Sequence, residues 1–252
     1  MTVMDVERPR TPPDPVPDLD ALGRALVEAG DAAGVSLRMV GGIAVRCLCP
    51  SAVDGPLART CKDIDLVARA RQRPEIDAVL AGLGYLPDEE FNLYQGGIRL
   101  NYAHPETRAS VDVFLDRLTM CHRLELADRL ELRPLTLDPA DLLLSKLQIV
   151  QTNERDLQDA TALLSDTTVD PDRIAGVLAA DWGWWRTSTE VLDRVAAYAG
   201  ELGHRDVGGR AAAAAAQLRE AIDERPKSRK WKLRARVGER VTWYELPEEV
   251  ED

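Results

Sequence analysis

The run Cys61-Lys62-Asp63-Ile64-Asp65-Leu66 decides how the rest of this chain is read. Two aspartates at i and i+2 on a strand project from one face, which sets two carboxylates side by side. Without a cation they repel each other. Hard divalent metals such as Mg²⁺ take oxygen ligands, commonly one or two carboxylates completed by substrate phosphates, so a D-x-D pair on a strand is half of such a site. By itself the pair is a weak signal, because acidic pairs at strand edges are mostly solvated. Its neighbours in the sequence settle what it means.

Upstream, Val35 to Val40 reads as a short strand running into Gly41-Gly42, and Ile43 to Leu48 as a helix. Bare backbone N–H groups on the two glycines, together with the helix N-terminus, can hold the anionic phosphates of a nucleotide. With no acidic pair following, a plain tight turn would be the better reading. Downstream, Ala109 to Leu115 reads as a further strand, with Val111, Val113 and Leu115 facing one way and Asp112 and Phe114 the other. Asp112 is thus the candidate third carboxylate. Two ions bridged by such a set can activate an attacking oxygen and stabilise a leaving pyrophosphate.

Further out, Leu19 to Ala33 carries apolar residues at helical spacing and stops at Gly34, and a helix with Pro74 in its first turn runs to about Gly82. Phe91 to Gln95 and Ile98 to Tyr102, parted by Gly96-Gly97, predict a hairpin. Residues 35 to 136 therefore form an α+β unit, a mixed sheet of about five strands flanked by helices. After it the character turns helical. Asp138 to Val150 is a helix with Asp138 as N-cap, Pro139 at N1 and Asp141 at N3, followed by helices over Arg155 to Leu164, Pro171 to Ala180, Ser188 to Ala197 and Gly209 to Ile222. This second half is a C-terminal helical bundle. Lys230 to Val237 and Arg240 to Tyr244 alternate apolar and basic residues around Gly238-Glu239 and predict a terminal β-hairpin. The expected organisation is a disordered Pro-rich lead-in (1–18), a catalytic α+β domain (19–137), a helical domain (138–224) and a basic tail (225–252).

Composition narrows the class. With 252 residues, 45% hydrophobic and 30% charged, the chain can bury a full core, and no apolar run approaches the ~20 residues of a membrane span. The Pro-rich start lacks the apolar core of a signal peptide, and the expected compartment is the cytoplasm with Cys47, Cys49, Cys61 and Cys121 reduced. Their C-x-C and C-H spacings do not match a structural zinc site. A net charge of -11 argues against broad nucleic-acid affinity, yet Arg225 to Arg240 holds eight basic residues against the one acid Glu239. That segment is either a solvated face or an RNA contact.

Val40-Gly41-Gly42-Ile43-Ala44, then Lys62-Asp63-Ile64-Asp65-Leu66, then Val111-Asp112-Val113-Phe114 resembles the DNA polymerase β-like nucleotidyltransferase superfamily in motif order and strand context. The resemblance implies transfer of a nucleotide from an NTP substrate to an acceptor, pyrophosphate release and two Mg²⁺ ions held by Asp63, Asp65 and Asp112. It extends into Asp141-Leu142-Leu143-Leu144-Ser145-Lys146-Leu147 and Arg155-Asp156-Leu157-Gln158-Asp159, which look like the AbiEii-like and MenT-like, toxin-like branch. There Lys146 would join Gly41 and Gly42 in handling the triphosphate, the acceptor would be RNA such as a tRNA 3′ end or, as in some relatives, a protein hydroxyl, and a cognate antitoxin would be a partner. The bland reading of Lys146 is a lysine snorkelling from an apolar helix face. For Asp156 and Asp159 it is capping or a salt bridge with Arg155. The three tryptophans Trp182, Trp184 and Trp185 read as packing.

The match spans about residues 35 to 165 and departs from compact members in the long stretch around Pro50, Asp54, Gly55 and Pro56, where a lid or acceptor loop is expected. Lys62 is placed to touch a phosphate, but the favoured expectation is the face opposite Asp63, as a structural or exposed residue. Two rival functions remain at this stage: an antibiotic (aminoglycoside-type) nucleotidyltransferase, whose cationic acceptor would suit acidic walls, and a non-catalytic nucleotide-binding module.

Overall fold

The computed structural model describes residues 18 to 246. Asp18 caps the first helix by accepting from the Ala21 N–H, so α1 (Leu19–Ala32) starts where the predicted lead-in ends; the rest of that lead-in lies outside the described residues. Strand β1 (Arg38–Val40) passes directly into α2 (Gly41–Leu48), and β2 (Ile64–Ala68) is followed by α3 (Arg73–Gly82). A two-residue β3 (Leu86–Pro87), α4 (Glu89–Tyr94), β4 (Arg99–Ala103) and β5 (Ser110–Leu115) complete this half. The five strands make one mixed sheet in the order β1-β2-β5-β4-β3, with β2 and β5 parallel and the other pairs antiparallel. A small two-stranded sheet, β6 (Arg117–Thr119) with β7 (Arg123–Glu125), follows and had no signal in the sequence pattern.

The hairpin predicted across Gly96-Gly97 does not form. Asp88 caps a short helix instead, its carboxylate accepting from the Phe91 N–H with Glu89 and Glu90 in the first turn, where acids suit the helix dipole. Buried Asn92 then clips that helix to β4, donating to the Asn101 carbonyl and accepting from the Asn101 N–H. Capping decided over the turn glycines, which join a helix to a strand. The strands that do pair with β4 are β5 on one side and the two-residue β3 on the other.

The helical half is α5 (Pro139–Leu147), α6 (Glu154–Asp166), α7 (Pro171–Ala180), α8 (Trp182–Glu201) and α9 (Arg205–Glu224). Asp138 caps α5 as expected. Buried Asp141, in the first turn, is clamped by Arg129 and Arg173, which ties the bundle to the sheet half. Apolar packing runs unbroken between the halves, from Leu26 and Leu66 through Leu143 and Leu163 to Leu218 and Ile222. The predicted terminal hairpin is also absent: Ser228 accepts from the Trp231 N–H and starts a helix, α10 (Arg229–Val237), followed by a 3₁₀ turn over Gly238–Arg240. Trp231 and Arg234, three residues apart, turn inward together, a helical spacing that the basic/apolar alternation concealed. In the stretch around Pro50, Val53 and Asp54 are exposed while the residues just before them are held down. Ser51 and Ala52 are buried in a 3₁₀ turn, and the Ser51 N–H donates to Asp166 of α6. No helix among the described residues is long and apolar enough to cross a membrane.

Candidate active site

The sheet assembles the site as a row. Val40, Asp65, Asp112 and Asn101 are register partners across β1, β2, β5 and β4, so Asp65 and Asp112 sit side by side at the ~5 Å spacing of paired strands. Asp63 lies one residue before β2 and is exposed, Asp65 is half-buried, and Asp112 is buried. Lys62 is exposed. Burial, then the charges of Asp63 and Asp112, push the Asp65 carboxyl up to about 7, although Lys146 and Arg99 are near enough to pull the other way. Excess negative charge is thus stored at the head of β2.

Gly41 and Gly42 stand against two different groups. Gly41 has φ 67°, and a methyl group there would collide with the Asp65 carboxylate, so both backbone conformation and close approach require glycine. A methyl group on Gly42 would strike the guanidinium of Arg59. Val40, at the N-cap, offers no side-chain hydrogen bond to the first turn of α2, which leaves that turn's N–H groups available to an anion.

Arg59 opens a second constellation that motif reading missed. Its Nε and Nη2 donate to the two oxygens of Asp159 at 2.9 and 2.6 Å, and Lys146 reaches the same carboxylate at 2.9 Å and Asp156 at 3.3 Å. Lys146 therefore does not snorkel. Burial pulls its ammonium down, but Asp159 and Asp156 outweigh that and hold it above its ordinary value. Burial likewise pushes Asp159 up, and Lys146 with Arg59 hold it below the usual carboxylate range. Asp156 also caps α6 in a reciprocal box with Asn153, so its partners are Lys146 and Asn153, where Arg155 had been one expectation.

Asp112 is engaged as well. Arg99 donates to both its oxygens, Nε to Oδ1 at 2.9 Å and Nη2 to Oδ2 at 2.6 Å, and the Asn101 amide donates to Oδ1 at 2.9 Å. The guanidinium lies 5.1 Å from the Phe114 ring centroid and 5.6 Å from that of Phe91. Arg99 and Asn101 had no signal of their own in the sequence; only the register of β4 on β5 brings them to Asp112. Among the described residues no three His, Cys, Asp or Glu side chains are arranged to hold a metal ion. Asp63 and Asp65 fit Mg²⁺ by donor chemistry, as a two-carboxylate half-site that substrate phosphates would complete. Both oxygens of Asp112 are taken by Arg99, so it could join such a site only if that contact were released. All four cysteines carry free thiols.

No known family's sequence model matches this chain, and no curated protein matches it either. Among solved structures, the lincosamide antibiotic adenylyltransferase LnuA, lincomycin-bound, aligns at 15% identity over 60% of this chain and 99% of that one, with a TM-score of 0.40. The antibiotic-resistance factor ANT(2'')-Ia aligns at 14% identity over 81% and 94%, TM-score 0.38. An antigenic nucleotidyltransferase-like protein from Paracoccidioides brasiliensis aligns at 13% over 84% and 94%, TM-score 0.38. Likeness at this level carries no weight for function, which has to be argued from the site itself.

Proposed function

We propose that this chain is a Mg²⁺-dependent nucleotidyltransferase that moves a nucleoside monophosphate from an NTP to a hydroxyl of an RNA acceptor, in the manner of the AbiEii/MenT-like branch. The observation that carries the proposal is the row Asp65–Asp112 on adjacent strands, with Gly41 pressed on Asp65 and the uncapped start of α2 beside it. Mg²⁺ bound at Asp63 and Asp65 would supply charge neutralisation for the phosphates and a lowered pKa for the attacking oxygen.

The chain's own groups do the rest. The first-turn N–H groups of α2 receive the triphosphate, with the Arg59 guanidinium against Gly42 and Lys146 joined to it through Asp159. The acceptor hydroxyl oxygen bonds to the α-phosphorus, the bond to the bridging oxygen of the β-phosphate breaks, and pyrophosphate leaves. Asp112, once free of Arg99, takes the hydroxyl proton.

A cationic antibiotic acceptor is the rival that the net charge of -11 favours. To decide, the protein is incubated with each α-labelled NTP and Mg²⁺ together with total RNA, an aminoglycoside panel, or no acceptor. Label entering RNA supports the proposal; label entering the aminoglycosides removes the RNA acceptor. Tight NTP binding without turnover leaves only a binding module.

A further inference from the structure

A cleft of about 1060 Å³ lies outside the Asp65–Asp112 row, between the β6–β7 sheet, the start of α8 and α10. Its walls are mainly aromatic and basic, with Glu125, Asp181 and Glu245 also lining it. Trp231, Trp243 and Tyr244 are half-buried there, backed by buried Trp182 and Trp184, and the Arg234 guanidinium lies 4.8 Å above the Trp182 ring. Arg117 and Lys230 line the same space. Along its nine residues α10 carries five cations and no acid, with Arg229, Lys230, Lys232 and Arg236 exposed. On a chain whose net charge is -11, this is a sharp local reversal of sign.

Cations that follow a backbone beside aromatic faces are what a single strand of nucleic acid needs: phosphates pair with the former and bases stack on the latter. Cations outnumber acids on this surface, so a polycationic aminoglycoside is the poorer fit. The position is also right. Arg117 is five residues beyond Asp112, so their Cα atoms are at most about 18 Å apart even with the chain fully extended. Ile98, on the cleft wall, immediately precedes the Arg99 that grips Asp112.

We infer that this aromatic, basic cleft with α10 as its rim is the seat of a single-stranded RNA acceptor, which it holds with the 3′ end directed toward Asp112. The inference deepens the transferase reading by placing its acceptor, and it rests on that reading for the direction of the strand.

The full-length protein is titrated into a fluorescein-labelled, unstructured 12-nucleotide RNA and followed by anisotropy at several salt concentrations, with a hairpin duplex RNA of equal charge and vesicles of phosphatidylserine as competitors. Affinity should fall steeply with salt. Reversing Arg229, Lys232 and Arg236 to Glu, all exposed, should weaken binding at least about tenfold. Trp231→Ala should weaken it by about tenfold and Trp231→Phe by much less, since phenylalanine still offers a ring to a base; thermal melts of each variant identify any loss of fold. Duplex RNA competing as well as the single strand, or binding untouched by the triple reversal, overturns the proposal. So does preferential binding to the vesicles, which would make α10 a lipid-facing helix. RNA that binds here but is never labelled defeats the transferase reading alone, whereas RNA that is labelled with a KM indifferent to the α10 reversal defeats the cleft alone.

Discussion

Two charge clusters flank Gly41-Gly42, and they are opposite in balance. On the Asp65 side three carboxylates gather, Arg99 answers only Asp112, and Asp65 rises to about 7. On the Arg59 side two cations meet two carboxylates, and each of Lys146 and Asp159 is held in its charged form by the other. A cluster in deficit of positive charge is a place for a cation to arrive, while a neutralised one holds the fold together and can lend its field to a passing phosphate. Burial is deeper on the Arg59 side, yet the charges there are matched, so the difference in balance lies in partners.

Changes in the acids test the deficit first. Asp63→Ala or Asp65→Ala should lower nucleotide transfer by at least about a hundredfold, the scale of losing a principal charge-stabilising group, with circular dichroism unchanged. Retained pyrophosphate release would remove the metal-site reading of β2. On the neutralised side, Lys146→Ala should destabilise the protein by about 3–5 kcal/mol, because Asp156 and Asp159 stay buried with one cation fewer. Urea unfolding measures this, and a variant as stable as the parent would show that the balance is not structural.

Asp65→Asn should act in the other direction. A carboxyl raised to about 7 from an ordinary 3.8 keeps a proton in the native state that the unfolded chain has lost, so metal-free protein loses stability as pH rises through that window. The variant should melt higher than the parent at pH 8 in chelator, with the gap closing toward pH 4. A lower melting temperature for the variant at pH 8 would mean that the repulsion is relieved some other way.

A smaller effect belongs to the cleft. The Trp243 indole N–H donates to the Thr187 hydroxyl at 3.1 Å, and the same hydroxyl hydrogen-bonds His122 Nε2 at 2.9 Å. Burial lowers His122 to about 4 from its usual 6.5. Between those values the unfolded chain takes up a proton that the native ring refuses, and stability falls as pH drops from about 6.5 toward 4. His122→Gln should flatten that part of the melting profile; an identical slope in the variant would remove His122 as its source.

How far the site was legible follows from the range of each signal. The D-x-D pair is visible because a strand repeats every two residues, and Gly41-Gly42 because a strand and a helix are readable on either side of it. Arg59 was not visible as a site group, since its partner Asp159 lies 100 residues on. Short-range reading failed where two local signals competed: turn glycines against the Asp88 cap at α4, and basic/apolar alternation against the Ser228 cap at α10.

From the amino-acid sequence alone came the order strand, glycine turn, helix, acidic pair, third acid, and the helical character of the second half, because periodicity, caps and breakers act over a few residues. Tertiary structure decided which face and which partners those residues have. It set Asp112 beside Asp65 by the parallel register of β5 on β2, gave Asp112 to Arg99, and joined Lys146 through Asp159 to the Arg59 that stands against Gly42. Those contacts depend on how distant segments pack into one core, and no spacing along the chain encodes them.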